Sequence, residues 1–281
     1  MTVAEGLRDG AKLLQENTIA EPQREVVLLM GHALKRDRTF IYANPDYRLN
    51  AVESILFKAV LRRRAAHEPF QYIVGRQEFY GLEFYVTPDV LIPRPETEIL
   101  VEAAINEFQH DENCKFLEVG VGSGCISVSI LANLPNATAL GGDVSYKALV
   151  IAGNNAENNG VSKRLDLQLS NVYDSIDDRE FDLIISNPPY VADTELDSLQ
   201  REVRDYEPKA ALSGGPDGLD IIRRLVKGAP KLLRPNGMLL IEIGWDQSER
   251  VADLLKRQGW KTINMQPDLQ GIPRIVVARS A

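Results

Sequence analysis

Cysteine and histidine are scarce in this chain, with 2 and 3 copies in 281 residues. Cys114 and Cys125 have neither metal-ligand nor redox spacing, and the histidines are scattered, so neither a metal site nor a disulfide is expected. No apolar run approaches the roughly 18 residues of a membrane-spanning helix, which sets aside a membrane role. The N-terminus, MTVAEGLRDGAKLLQEN, carries acids and lacks a long apolar core, unlike a secretory or transit peptide. A cytoplasmic location is the resulting expectation. Basic residues are the minority charge, 32 against 40 acids for a net of −8, which opposes clamping of duplex DNA by counter-ion release. Stable nucleic-acid binding is therefore not expected. Internal repeats and low-complexity tracts are lacking too, and the length allows one large domain or two.

The most informative segment present is Asn187-Pro188-Pro189-Tyr190, directly after the apolar run FDLIIS. That run reads as a buried parallel strand. Neither proline can donate to a sheet, and each restricts the residue before it to extended backbone, so the strand stops in a stiff turn. The turn presents the Asn187 side-chain carbonyl, the Pro188 backbone carbonyl and the Tyr190 ring at a strand's carboxyl end, where open α/β sheets bind ligands. Two acceptors beside an aromatic face suit a planar NH2 group.

Upstream, Phe116 to Val119 form another short apolar strand, followed by Gly120-Val121-Gly122-Ser123-Gly124 and a helical stretch, CISVSILANL. Glycines there permit a tight turn and close backbone approach to a ligand. A dinucleotide fingerprint would place its third glycine at Cys125, and no Gly-Lys-Ser/Thr follows, which excludes a phosphate-cradling loop. The next strand ends in Asp143, where a carboxylate can take two ribose hydroxyls. A third, LDLQLS, leads to Asn171, whose amide can meet an adenine edge. Four successive strand ends thus suit a nucleoside without phosphates, and S-adenosylmethionine is the obvious candidate.

The chain divides readably. Residues 1–69 show helical spacing in VAEGLRDGAKLLQEN, REVVLLMGHALK and VESILFKAVLRRRAAH, with a loop over RDRTFIYANPDYRLN. Residues 70–92 alternate as a β-hairpin linker with turns at Gly75 and Gly81, its aromatics expected to pack. Residues 93–281 open within IPRPETE (92–98), Pro95 sitting at a helix start, and then alternate strands and helices as a doubly wound sheet requires. The segment 191–218 has no clear period and is long for a connection, so it is expected at a substrate mouth.

On Leu91-Ile92-Pro93-Arg94-Pro95-Glu96-Thr97-Glu98, LEVGVGSG, SNPPY, YEPKAALSGGPDGLD and LIEIGWDQSE, the chain resembles the peptide chain release factor glutamine N5-methyltransferases. These are class I S-adenosylmethionine-dependent methyltransferases. The resemblance implies an α/β fold: a Rossmann-like seven-stranded domain with an antiparallel last strand beside the fifth, preceded by a small helical domain that recognises the substrate. It implies that Glu118, Gly120, Val121, Gly122, Ser123, Gly124, Asp143, Asn171, Val172 and Asn187 hold the cofactor. Asn187, Pro188 and Tyr190 would be catalytic, and with Pro189 would bind the substrate. Thr97 would face the methionine end of the cofactor. Two readings of Arg94 stay open: it fixes the loop for function, or it only stitches the loop together with Glu96. Asn171 stands where an acid is common in the family and Val172 where an aromatic often stacks, leaving open whether Tyr173 replaces it. The implied partners are class 1 release factors, methylated on the glutamine of their Gly-Gly-Gln loop. The alternatives are an N6-adenine methyltransferase, in which Tyr190 would stack on a flipped base, and a non-catalytic scaffold for a translation factor.

Overall fold

The computed structural model describes residues 1–109, 113–177 and 180–280. Two compact units emerge, Met1–Gly75 with Gln200–Tyr206, and Arg76–Leu199 with Glu207–Ala281.

The smaller unit is helical: α1 (Val3–Glu16), α2 (Pro22–Leu34), α3 (Arg38–Ala43), α4 (Ala51–Ala65) and α5 (Phe70–Val74). Capping boxes start α1 and α4, where Thr2 and Asn50 accept from the backbone of Glu5 and Glu53, whose side chains accept in return. Helix α3 falls in the segment read as a loop. Asp37 caps it by accepting from Phe40 N at 2.8 Å, and it buries Ile41. Leu14, Leu29, Met30, Ile41 and Phe57 fill the core. Arg64, 5% exposed, reaches Glu25 at 2.8 Å and Glu202 of the 200–206 segment at 3.3 Å.

In the larger unit the hairpin is shorter than its alternation suggests, β1 (Arg76–Phe79) and β2 (Leu82–Tyr85). Residues 70–74, read as its beginning, are helical α5 instead, because Tyr72 and Ile73 gain burial there and Gly75 caps the turn. Phe79 and Phe84 of the hairpin are fully buried against α6 (Glu98–Phe108), which follows a 3-10 turn over Pro95–Thr97.

Then come β3 (Lys115–Val119), α7 (Cys125–Asn133), β4 (Thr138–Asp143), α8 (Tyr146–Asn158), β5 (Leu165–Leu169) and β6 (Phe181–Ser186). The chain continues through α9 (Arg201–Tyr206, in the smaller unit), α10 (Asp220–Gly228), β7 (Leu233–Glu242), α11 (Ser248–Arg257), β8 (Thr262–Pro267) and β9 (Pro273–Arg279). The seven strands lie in the order β5-β4-β3-β6-β7-β9-β8. Strands β3 to β7 run parallel, and β9 is antiparallel between β7 and β8. Alternation along β3 sends Phe116 to the face covered by α6 and α7, and Leu117 to the face covered by α10 and α11. Order reverses between β3 and β4 on one side and β6 on the other, the position where such sheets open a ligand crevice. Among the described residues no helix is long and apolar enough to cross a membrane.

Candidate active site

A cavity of about 300 Å³ opens at the carboxyl ends of β3, β4 and β6. Its walls are the glycine loop, Glu118, Asp143, Asn171, Val172, Asn187, Pro188, Pro189, Arg94 and Thr97, with Pro88 to Leu91 and Pro208 completing the mouth.

The glycine loop is shaped by positive φ angles at Gly120 (78°), Gly122 (52°) and Gly124 (81°). A Cβ built on Gly120 meets no atom within 4 Å and would project into open space, whereas one on Gly124 would meet the Cα and Cβ of Ala152 at 3.2 Å. Gly120 thus leaves room for a ligand and Gly124 lets the loop lie against α8, without lining the cavity itself. Asp143 joins this loop to the next: one carboxylate oxygen accepts from Gly122 N at 2.9 Å and the other from Ser145 N at 2.8 Å. Asn155 of α8, wholly buried, accepts from Tyr85 N at 2.7 Å and donates to Tyr85 O and Ser123 O, tying the hairpin to the loop. Glu118 accepts from the backbone and hydroxyl of Ser127, and burial pushes its carboxyl up to about 8.

Asn171 lines the cavity with its side-chain oxygen held by Arg224 at 2.8 Å, so its amide orientation is fixed from outside. Val172 has φ 57°, a conformation costly for a β-branched residue, and lies buried on the cavity wall. Tyr173 does not replace the stacking aromatic. Its ring packs on Gly228, its hydroxyl donates to Leu225 O at 3.2 Å, and it is outside the cavity.

At the NPPY turn, Asn187 Nδ2 donates to Thr97 Oγ1 at 3.0 Å, and Thr97 donates to Glu242 Oε2 at 2.7 Å. Tyr190 does not line the cavity; its hydroxyl points to Glu242 Oε1 at 3.4 Å and its ring packs on the core beside α10. Glu242, 2% exposed at the end of β7, is pushed up to about 7 by burial. Gln247 secures the chain after the turn, donating to Tyr190 O at 2.9 Å and Gly218 O at 3.3 Å and accepting from Gly244 N at 2.9 Å. Arg94 pairs with buried Glu207 rather than with Glu96, which joins the IPRPETE loop to the segment after α9. Glu242 and Gln247, within LIEIGWDQSE, and Glu207, within YEPKAALSGGPDGLD, were read only as parts of those segments, and Asn155 was not singled out from sequence. A lone acid ending the apolar run MLLIE was the available signal for Glu242.

The sheet order and the crevice define a class I methyltransferase fold. Residues 5–75 match the PrmC N-terminal domain family and residues 96–205 the methyltransferase small domain family. The chain belongs to the release factor glutamine methyltransferases, which depend on S-adenosylmethionine. It is 43% identical over 266 residues to one from Geobacter sulfurreducens, covering 95% of this chain and 92% of that one. Another, from Koribacter versatilis, is 38% identical over 280 residues, with 99% of each chain covered. Among solved structures, the hMettl16 catalytic domain in complex with MAT2A 3′UTR hairpin 6 superposes with a TM-score of 0.59 at 18% identity, covering 79% of this chain and 81% of that one. That likeness is one of fold.

Proposed function

We propose that the chain methylates the side-chain amide nitrogen (N5) of the glutamine in the Gly-Gly-Gln loop of class 1 peptide chain release factors, in the cytoplasm. The observation that carries this reading is the amide of Asn187. Its nitrogen is committed to Thr97, which leaves Oδ1 as its remaining acceptor, and both Asn187 and Pro188 line the cavity. The open space over Gly120 and the carboxylate of Asp143 fit a nucleoside, so Gly120 to Ser123, Asp143, Asn171 and Val172 would hold S-adenosylmethionine.

When bound, that cofactor supplies an electrophilic methyl group on a sulfonium. The chain's task is to make a poor nucleophile competent. A primary amide nitrogen has its lone pair delocalised into the carbonyl, and it gains positive charge as it is methylated. Asn187 Oδ1 and the Pro188 carbonyl would accept its two N–H groups, and bonds to a charged donor contribute about 1.5–3 kcal/mol each. Two such bonds correspond to roughly 10²–10⁴ in rate, alignment supplying more. Tyr190, anchored through its hydroxyl, would stiffen the turn from behind. Residues 1–69 would serve substrate recognition, with 70–92 as linker and 93–281 as catalytic domain.

The test is transfer of label from S-adenosylmethionine to a purified release factor, with a Gln→Ala loop variant as control. Label should enter the former alone, and Asn187→Ala should lower kcat by about 10²–10³. Equal labelling of both factors, or of neither, overturns the proposal. Labelling of an adenine-containing oligonucleotide at physiological salt would favour a base methyltransferase instead.

A further inference from the structure

A hydroxyl has one proton and two lone pairs, and an ionised carboxylate only accepts. Thr97 is 2% exposed and has two neighbours in reach, Glu242 Oε2 at 2.7 Å and Asn187 Nδ2 at 3.0 Å. Its single proton is taken by Glu242, so toward Asn187 it can only accept. That settles which end of the Asn187 amide faces Thr97: the NH2, with Oδ1 turned to the cavity. With the proton released, Thr97 could equally donate to Oδ1, and the amide could turn over and offer NH2 to the cavity. A substrate amide would then meet a donor where it needs an acceptor. A proton on Glu242 Oε1 would face the Tyr190 hydroxyl, 3.4 Å away, and leave Oε2 an acceptor.

We propose that Glu242 is a positioning residue for amide methylation, fixing the polarity of Asn187 through the Thr97 hydroxyl. This rests on the reading that Asn187 Oδ1 receives the substrate NH2. Glu242 touches neither substrate nor cofactor in this account; its effect passes through one proton. The same carboxylate holds the Tyr190 hydroxyl, so β7 sets both ends of the NPPY turn.

The relay predicts a pattern among variants. Thr97→Val removes the hydroxyl at equal volume and should lower kcat for release factor by about tenfold or more, the scale of losing one oriented acceptor. Thr97→Ser keeps the proton and should restore most of that loss. Glu242→Gln, which can donate as well as accept, should lower kcat about three- to tenfold. The Thr97→Val/Glu242→Gln double variant should fall no further than Thr97→Val alone. KM for release factor and the dissociation constant for S-adenosylhomocysteine, read by calorimetry, should stay within about threefold throughout. A serine variant as impaired as the valine one, or losses that multiply in the double variant, would overturn the relay.

A second readout needs no methyl transfer. The side-chain NH2 protons of Asn187, assigned in 15N spectra by their disappearance in Asn187→Ala, should exchange faster in Thr97→Val and Glu242→Gln than in the native chain. Unchanged exchange in both overturns the relay. Failure of the native enzyme to label release factor overturns the substrate reading instead, and leaves the exchange experiment to decide this one.

Discussion

Glu118 offers a sharp test of how the cofactor cleft is built. It is the penultimate residue of β3, at 1% exposure, with Ser127 as its hydrogen-bonding partner through backbone and hydroxyl. Burial raises its carboxyl from 4.5 to about 8 against those two bonds, and Asp143 adds to the rise. The folded chain therefore holds this proton more tightly than the unfolded one. The stability it contributes is complete below about pH 4.5 and is lost as pH rises through about 8. At about 1.4 kcal/mol per unit, the loss is roughly 2 kcal/mol at pH 6 and roughly 4 kcal/mol at pH 8. Glu118→Gln keeps an oxygen for Ser127 and cannot ionise. It should match the native chain near pH 5 and exceed it by roughly 3–4 kcal/mol near pH 8. Both tryptophans, Trp245 and Trp260, belong to the larger unit, so fluorescence-monitored urea unfolding reads the part that contains Glu118. A gap between the two proteins that stays constant from about pH 5 to 8, or a native chain that gains on the variant as pH rises, would refute the assignment.

Two further substitutions probe other parts. Tyr173→Phe removes the bond to Leu225 O and should cost about 1 kcal/mol of stability while leaving the dissociation constant for S-adenosylmethionine within about twofold; a tenfold weaker constant would place the ring on the adenine after all. Arg64→Met strips the cation from between Glu25 and Glu202 and should destabilise the helical unit by about 3–5 kcal/mol, seen as faster amide exchange in α2, α4 and α9. Exchange rates equal to the native ones would mean that the buried pair contributes nothing there.

Periodic signals carried the fold. The central parallel strands β6 and β7 are largely apolar because helices cover both faces, and their runs, FDLIIS and MLLIE, stand out by length, whereas the edge strand β5, LDLQL, alternates. The last antiparallel pair was a matter of family resemblance, since periodicity does not distinguish strand directions. The errors fell where elements are short. Helix α3 spans 6 residues with one buried side chain, too few for a helical repeat to show. Helix α5 is made of Phe70, Gln71, Tyr72, Ile73 and Val74, residues that favour strands, and tertiary burial overrode that preference.

The candidate site was legible to the extent that its parts sit on backbone devices. Glycines with positive φ, prolines ending a strand and an acid at a strand end are all local in sequence, and the structure gathers most of them on one cavity. Tyr190 and Tyr173 show the limit of that reasoning. Each was a plausible ring for stacking, and each turns its hydroxyl to a partner more than fifty positions away, Glu242 at 52 and Leu225 at 52 residues' separation. Which way an aromatic points depends on that partner, and the partner leaves no periodic trace.

The same holds for the residues that align the site. Asn155 reaches across 32 positions to the glycine loop, Gln247 across 57 to Tyr190, and Glu242 across 145 to Thr97. Each is a buried polar side chain whose burial is tolerable only because its hydrogen bonds are made. Stability and alignment are consequently coupled at these positions: the bond that offsets desolvation is the bond that sets a loop. Conservative swaps should therefore separate the two roles where truncations cannot. A side chain of equal volume and altered donor count, such as Gln for Glu242 or Val for Thr97, changes proton direction with little change in packing. Truncation at the same positions would remove both at once and report only that the residue matters.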